Sequence, residues 1–265
     1  MEQSGMELVS QESAGEVTTV TLDSPATRNA LSTALLTQLR AALASALDDP
    51  GCRVVVLTGA DPAFCAGADL KESRDARAGR VAAPELFPEI LQLIWDSAKP
   101  VVCRVNGSAR AGGIGLIAAC DIAVASQSAT FAFSEVRIGA TPAIIAVPCL
   151  RRMSPRAAAE YFLTGEPFDA QRAVEVGLIT SAVPKIQLDE EVARYAGLLL
   201  HGAPGALAVT KTVLREANSM PVADELARMA EISAARFASD EAQEGIAAFA
   251  GKRDPSWAAR PAQTP

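Results

Sequence analysis

Apolar positions recur along the chain with two periods, and their alternation predicts strands interleaved with helices, then helices alone. Val17–Leu22 alternates Val and Thr and predicts a strand, turned by Asp23-Ser24-Pro25. Leu31, Leu35, Leu39, Leu43 and Leu47 stand four apart, one face of an amphipathic helix. Arg53–Thr58 is a short apolar strand, and Gly59–Pro62 turns it. Asp69 is placed to cap a helix starting at Leu70, and the charged, glycine-containing Arg74–Arg80 predicts a mobile loop. Glu85–Ala98 predicts a helix stopped by Pro100. Val101–Val105, Ile122–Ala125, Thr130–Phe133 and Ile179–Val183 predict further strands, and Ile144–Leu150 is apolar. Ser154-Pro155 opens a helix with a capping residue and proline at its first position, and Asp169–Val176 is a helix closed by Gly177. From Leu188 to Ala250 strand signals stop, leaving three or four helices punctuated by Gly202–Gly205, Pro221 and Ser239. The pattern predicts an α/β core with a helical C-terminal part. The expected division is a flexible N-terminus over 1–15, a core over 16–200 and a helical region over 201–265, with no internal repeat.

The centre of the pattern is Asn106–Asp121, NGSARAGGIGLIAACD. Asn106-Gly107 ends the Val101–Val105 run as a turn, and Ile114–Cys120 then continues at helical length without a polar face, so that helix is buried. Gly112 and Gly113 stand where the loop becomes the first turn. The first amides of a helix lack internal partners and carry the positive end of its dipole. Glycine there lets another molecule approach the backbone. Stabilisation of negative charge on a carbonyl oxygen is the chemistry this suggests; tight helix packing explains the same glycines equally well.

Composition narrows the classes. The chain has 265 residues, of which 49% are apolar, enough for one large domain or a domain with an appendage. The net charge of −7 argues against a broad nucleic-acid footprint. Cys52, Cys65, Cys103, Cys120 and Cys149 are scattered and never form a C-x-x-C pair. They predict buried, reduced thiols of a cytoplasmic protein, neither a disulfide frame nor a zinc site. No basic-then-apolar leader opens the chain and no apolar run has the length of a membrane span. One histidine, His201, sits beside Gly202 in an expected helix-ending turn, exposed; with no G-x-S-x-G elbow, a serine-histidine triad has little support.

Glu135 is the acid to single out. Its surroundings, FAFSEVRIG, are apolar and small, so the carboxylate is expected to be desolvated and its pKa raised towards the range of proton transfer. A surface glutamate paired with Arg137 is the plainer alternative. Gly113-Ile114-Gly115-Leu116-Ile117-Ala118 also fits G-x-G-x-x-A, with Glu135 twenty residues beyond Gly115. A dinucleotide fingerprint follows its strand directly, however, and here Gly107–Gly112 intervenes.

Several stretches together resemble the enoyl-CoA hydratase/isomerase (crotonase) family. FCAGADLKE resembles its first oxyanion and CoA motif, NGSARAGGIGLIAACDI its second, and FAFSEVRIGATP the segment bearing a catalytic glutamate. FLTGEPFDAQRAVEVGLI and EGIAAFAGKRDPSW resemble later segments, so the likeness runs from about residue 16 to residue 257. The resemblance implies a ββα spiral core with a C-terminal trimerisation region, and a homotrimer or hexamer. It implies backbone oxyanion donors at Ala68 and Gly112, and a CoA path along Ala66, Asp69, Leu70 and Lys71 with Arg28 near the phosphates. Phe249 and Lys252 match residues that reach CoA from the last helix, commonly across to a neighbouring subunit. Glu135 matches the second of two catalytic glutamates; the first falls on Gly115, which is expected to leave room for a bulkier acyl group. The implied activity is hydration of a 2-enoyl-CoA. Isomerisation of a 3-enoyl-CoA, or acyl-CoA binding without turnover, are the alternatives. No metal, separate cofactor, nucleic acid or membrane is implied as a partner.

Overall fold

The structure, a computed structural model, describes residues 6–69, 71–72, 86–216 and 220–258. Strands β1 (Val9–Ala14), β2 (Val17–Leu22), β3 (Val54–Gly59), β5 (Val101–Val105), β7 (Ile122–Ser126) and β10 (Ser181–Val183) form one sheet, in that order. β4 (Ala63–Cys65), β6 (Ser108–Arg110), β8 (Thr130–Ala132) and β9 (Phe168–Asp169) form a second, shorter one. After β3, β5 and β7 the chain turns each time into a short strand of the second sheet before moving on, which winds it into a spiral.

β3 is buried along its whole length, as a strand in a parallel sheet covered on both faces must be. Val54 and Val56 pack with Val102, Val124, Leu188 and Val192 on one face. Val55 and Leu57 join the larger core on the other. The Leu188–His201 helix therefore belongs to the core, and exposed His201 is its last residue, at the helix end expected beside Gly202. The helix predicted from the leucine repeat runs Thr33–Asp48, capped by Ser32, whose Oγ accepts from Leu35 N at 3.2 Å. The later helices are Pro204–Glu216, Val222–Phe237 and Asp240–Ala250. All five cysteines are buried and free.

The N-terminal expectation needs correction. Val9–Ala14 is not frayed but pairs antiparallel with β2, from Val9 opposite Leu22 to Ala14 opposite Val17. Its sequence, VSQESA, shows no alternation because it is an edge strand with only Val9 buried; its stability comes from main-chain pairing. The loop expected over Arg74–Arg80 lies outside the described residues.

Candidate active site

Two loops from the second sheet meet at the site, and buried Asn29 sets the first. Asn29 adopts a left-handed conformation at φ 57°. Its Nδ2 donates to the carbonyls of Ala60, Ala63 and Phe64 at 2.9, 2.8 and 3.2 Å, and its Oδ1 accepts from Ser24 N at 2.8 Å. Asparagine tolerates this conformation better than other side chains. From this knot the chain runs beside residues 66–69: Ala66 N donates to Arg28 O at 2.9 Å, and Leu31 N to Gly67 O at 2.8 Å. The neighbours of Ala68 are thus tied to Leu31, while the exposed Ala68 N–H has no backbone acceptor among the described residues.

The second loop enters the Gly112–Ala119 helix through Ala111, at φ 48° and ψ −118°. A non-glycine residue there is strained by about 1–3 kcal/mol. Ala111 is held by its N–H on Ala132 O at 3.2 Å and by its carbonyl, which accepts from Ile114 N at 2.9 Å. The amides of Gly112 and Gly113 then open the helix without a backbone acceptor among the described residues. The two loops pack backbone on backbone. A Cβ on Gly67, at φ +86°, would lie 2.9 Å from Ala111 Cβ; one on Gly113 would lie 2.7 Å from Cys65 Cβ. Only glycine permits this approach.

Glu135 sits in a 3₁₀ turn, Ser134–Ile138. Its Oε2 is buried with no hydrogen-bond partner among the described residues, and loss of solvent raises its pKa above the ordinary carboxylate value. The carboxylate also helps to push up the pKa of buried Cys149, after the larger effect of burial. Arg137 does not neutralise it: Arg137 pairs with Glu166 at 2.6 Å. Glu135, Phe87, Thr141 and Ile145 border a cavity of about 250 Å³. Phe87 joins this cavity to the oxyanion loop, its Cζ lying 3.3 Å from where a Cβ on Gly112 would be and 3.5 Å from one on Gly115.

Gly115 opens no acyl space. A Cβ there would meet Ile145 Cγ2 at 2.5 Å, and Ile145 is buried. The expectation of added room fails because an isoleucine thirty residues later in the chain occupies it.

Arg28 borders another cavity, of about 450 Å³, with Ala66 and Arg110. Arg110 donates to Ala109 O, Thr130 O and Thr130 Oγ1 at 2.9, 2.6 and 2.9 Å, all neutral acceptors. Burial lowers its pKa, so a partly desolvated guanidinium faces the same space as Arg28. The Asp69 carboxylate accepts from Lys71 N at 2.8 Å and Glu72 N at 3.2 Å, as a helix cap. Lys71 is exposed beside it, and Leu70 lies outside the described residues. Phe249 and Lys252 are not brought to the site within this chain; they lie at the end of the Asp240–Ala250 helix, with Phe249 beside Ala206 and Trp257. Arg110 is missing from the sequence expectations. It carried a signal, a charge inside an otherwise small and apolar stretch.

The arrangement combines two backbone donors able to hold a developing oxyanion with one desolvated carboxylate able to move a proton. Among the described residues no group of side chains is placed to hold a metal ion, and no helix is long and apolar enough to cross a membrane.

The family model described as enoyl-CoA hydratase/isomerase matches residues 12–260. Among curated proteins, the chain is 34% identical over 241 residues to the mitochondrial enoyl-CoA hydratase domain-containing protein 3 of Rattus norvegicus, covering 90% of this chain and 80% of that protein. It is 32% identical over 242 residues to the 2,3-dehydroadipyl-CoA hydratase of Escherichia coli, covering 91% and 94%. Among solved structures, an enoyl-CoA hydratase from Shewanella pealeana superposes with a TM-score of 0.89 at 30% identity, covering 95% of this chain and 96% of that one.

Proposed function

The chain belongs to the enoyl-CoA hydratase/isomerase family and has its crotonase fold, and from that premise we propose that it hydrates 2-enoyl-CoA thioesters with a single carboxylate. The observation that carries the proposal is the unpartnered Oε2 of Glu135 in a cavity walled by Phe87, which also borders Gly112. The thioester oxygen lies against the Ala68 and Gly112 amides. Water held by Glu135 gives that carboxylate a proton as its oxygen bonds to the β-carbon. The double-bond electrons move towards the α-carbon and the thioester oxygen, where the two amides stabilise them. Glu135 then returns the proton to the α-carbon and is a carboxylate again. Atoms and charge balance without a metal or redox partner.

CoA is proposed to follow Ala66, Asp69, Leu70 and Lys71, with Arg28 and Arg110 facing its phosphates. Phe249 and Lys252 are proposed to reach it from a neighbouring subunit of a trimer or hexamer in the cytoplasm. The test is ultraviolet loss of the conjugated thioester on adding purified protein to crotonyl-CoA, with the hydroxyacyl product identified by mass. Absence of water addition across a panel of 2-enoyl-CoAs would refute the hydratase.

A second reaction has its own supporting observation. Ile145 fills the place of the first glutamate, so the opposite side of the cavity is apolar. One carboxylate suffices to take a proton from one carbon and return it to another. The same panel, extended to 3-enoyl-CoAs, separates the isomerase from the hydratase by product.

A further inference from the structure

We propose that Leu31 is a positioning residue of the oxyanion hole: it sets the separation of the Ala68 and Gly112 amides, and Glu72 locks it in place through the helix that follows it. The inference rests on the proposed oxyanion chemistry and adds to it what spaces the two donors. Those donors come from different loops, one after β4 and one after β6, so neither loop alone fixes the distance between them. Leu31 touches both. Its backbone runs parallel to Ala68, with Leu31 N donating to Gly67 O at 2.8 Å and Leu31 O accepting from Asp69 N at 3.4 Å. Its side chain is buried and turns to the other loop, Cδ1 lying 2.7 Å from where a Cβ on Gly112 would be. The leucine is thus a wedge whose main chain pairs with the segment of one donor and whose methyl abuts the other.

Both ends of the wedge are held. Before it, the Asn29 side chain is fixed to the carbonyls of Ala60, Ala63 and Phe64. After it, Glu72 Oε2 accepts from Thr33 N at 2.8 Å and from Thr33 Oγ1 at 2.9 Å. Thr33 is the first residue of its helix, where a carboxylate meets an amide without an internal partner and the positive end of the dipole. Glu72 belongs to the same segment as Ala68, so the contact closes a ring from Ala68 through Glu72 and Thr33 to Leu31 and back. A donor must lie about 2.7–3.1 Å from the oxyanion, a window narrow enough for loss of the leucine's branched end to spoil it.

The test reads the thioester carbonyl directly. Butanoyl-CoA, isotope-labelled at that carbonyl, has no double bond to hydrate, and difference infrared spectroscopy follows its C=O stretch when bound. In the wild type the stretch should fall on binding, because two donors draw charge onto the oxygen. Leu31→Ala should lose roughly half or more of that fall, and about tenfold or more in kcat on crotonyl-CoA, with butanoyl-CoA affinity similar. Leu31→Met, which keeps the volume, should recover most of both. Leu31→Val makes a smaller cut for the case that Leu31→Ala does not fold. Glu72→Ala should weaken the fall in the same sense, and Glu72→Gln, which keeps an acceptor for Thr33, should weaken it less. A purely structural role would lower Tm and leave the band of the bound thioester in place. An unchanged band in the folded Leu31 variant overturns the wedge, and one in Glu72→Ala overturns the lock; in both cases the wild-type fall leaves the oxyanion reading intact. A wild type that does not bind butanoyl-CoA, or binds it with no fall in the band, removes the oxyanion reading and this inference with it.

Discussion

At the scale of single residues, the charge on Glu135 serves the chemistry and costs the fold. Its pKa is raised by desolvation, so between the unfolded and folded values the native state binds more protons. Stability should therefore increase as pH falls through that window, and the penalty should be fully present above the folded value. Glu135→Gln should lower turnover about a hundredfold or more while leaving thioester affinity similar. It should also raise Tm at neutral pH, with the gain shrinking under acid. Wild-type kcat/KM should fall on the acid side with a midpoint above the usual carboxylate value. Unchanged turnover in Glu135→Gln would transfer the proton to another group, yet two alternative acids are engaged: Asp69 caps a helix turn and Glu89 pairs with Arg40 at 3.0 Å. Gly115→Glu tests the opposite side. Its side chain collides with Ile145, so the single substitution should destabilise the fold by about 1–3 kcal/mol in urea titration. Gly115→Glu with Ile145→Ala should recover part of that stability and speed hydration of short substrates. Glu135 was legible because its acid lies in an apolar run. Ile145 was not, since nothing local says that its side chain ends at Gly115.

At the scale of elements, legibility followed local apolar patterning: even the three-residue β8 and β10 lay in runs that showed it. Strands of five or six residues in the large sheet could be read from their apolar runs. β4 and β6, with three residues each, are too short to show a period, yet they carry the loops of the oxyanion site. β1 was missed for a different reason, its polar edge position. The start of the Gly112–Ala119 helix is the element most at odds with local preference, because Ala111 takes a backbone conformation that suits glycine. Ala111→Gly should relieve the strain and stabilise the protein by about 1 kcal/mol, the strain relieved outweighing the added freedom of the unfolded chain. Denaturant unfolding measures it. No gain would mean that packing of the Ala111 methyl compensates the strain.

At the scale of the whole molecule, the C-terminal helices are fixed to the core at one end and open at the other. Lys211 is buried and lies 2.7 Å from Asp121 Oδ2, which also accepts from Val101 N at 2.8 Å. Lys211→Ala leaves that carboxylate without its cation and should cost about 3–5 kcal/mol. Beyond this anchor, Leu214, Val222, Leu226, Phe237, Ile246 and Phe249 are all exposed, Phe249 at 88%. An apolar surface spread over three helices is what the proposed oligomer would cover; the core fold was legible in the sequence where any partner of this surface was not. Light scattering should give a trimer or hexamer, and Phe249→Asp should shift it towards monomer. If Phe249 and Lys252 also reach a neighbour's CoA, Lys252→Ala should weaken CoA affinity in the intact oligomer, and Phe249→Asp should weaken it in step with dissociation. A monomeric wild type that binds CoA tightly would remove both residues from the site and leave Arg28 and Arg110 to face the phosphates from within one chain.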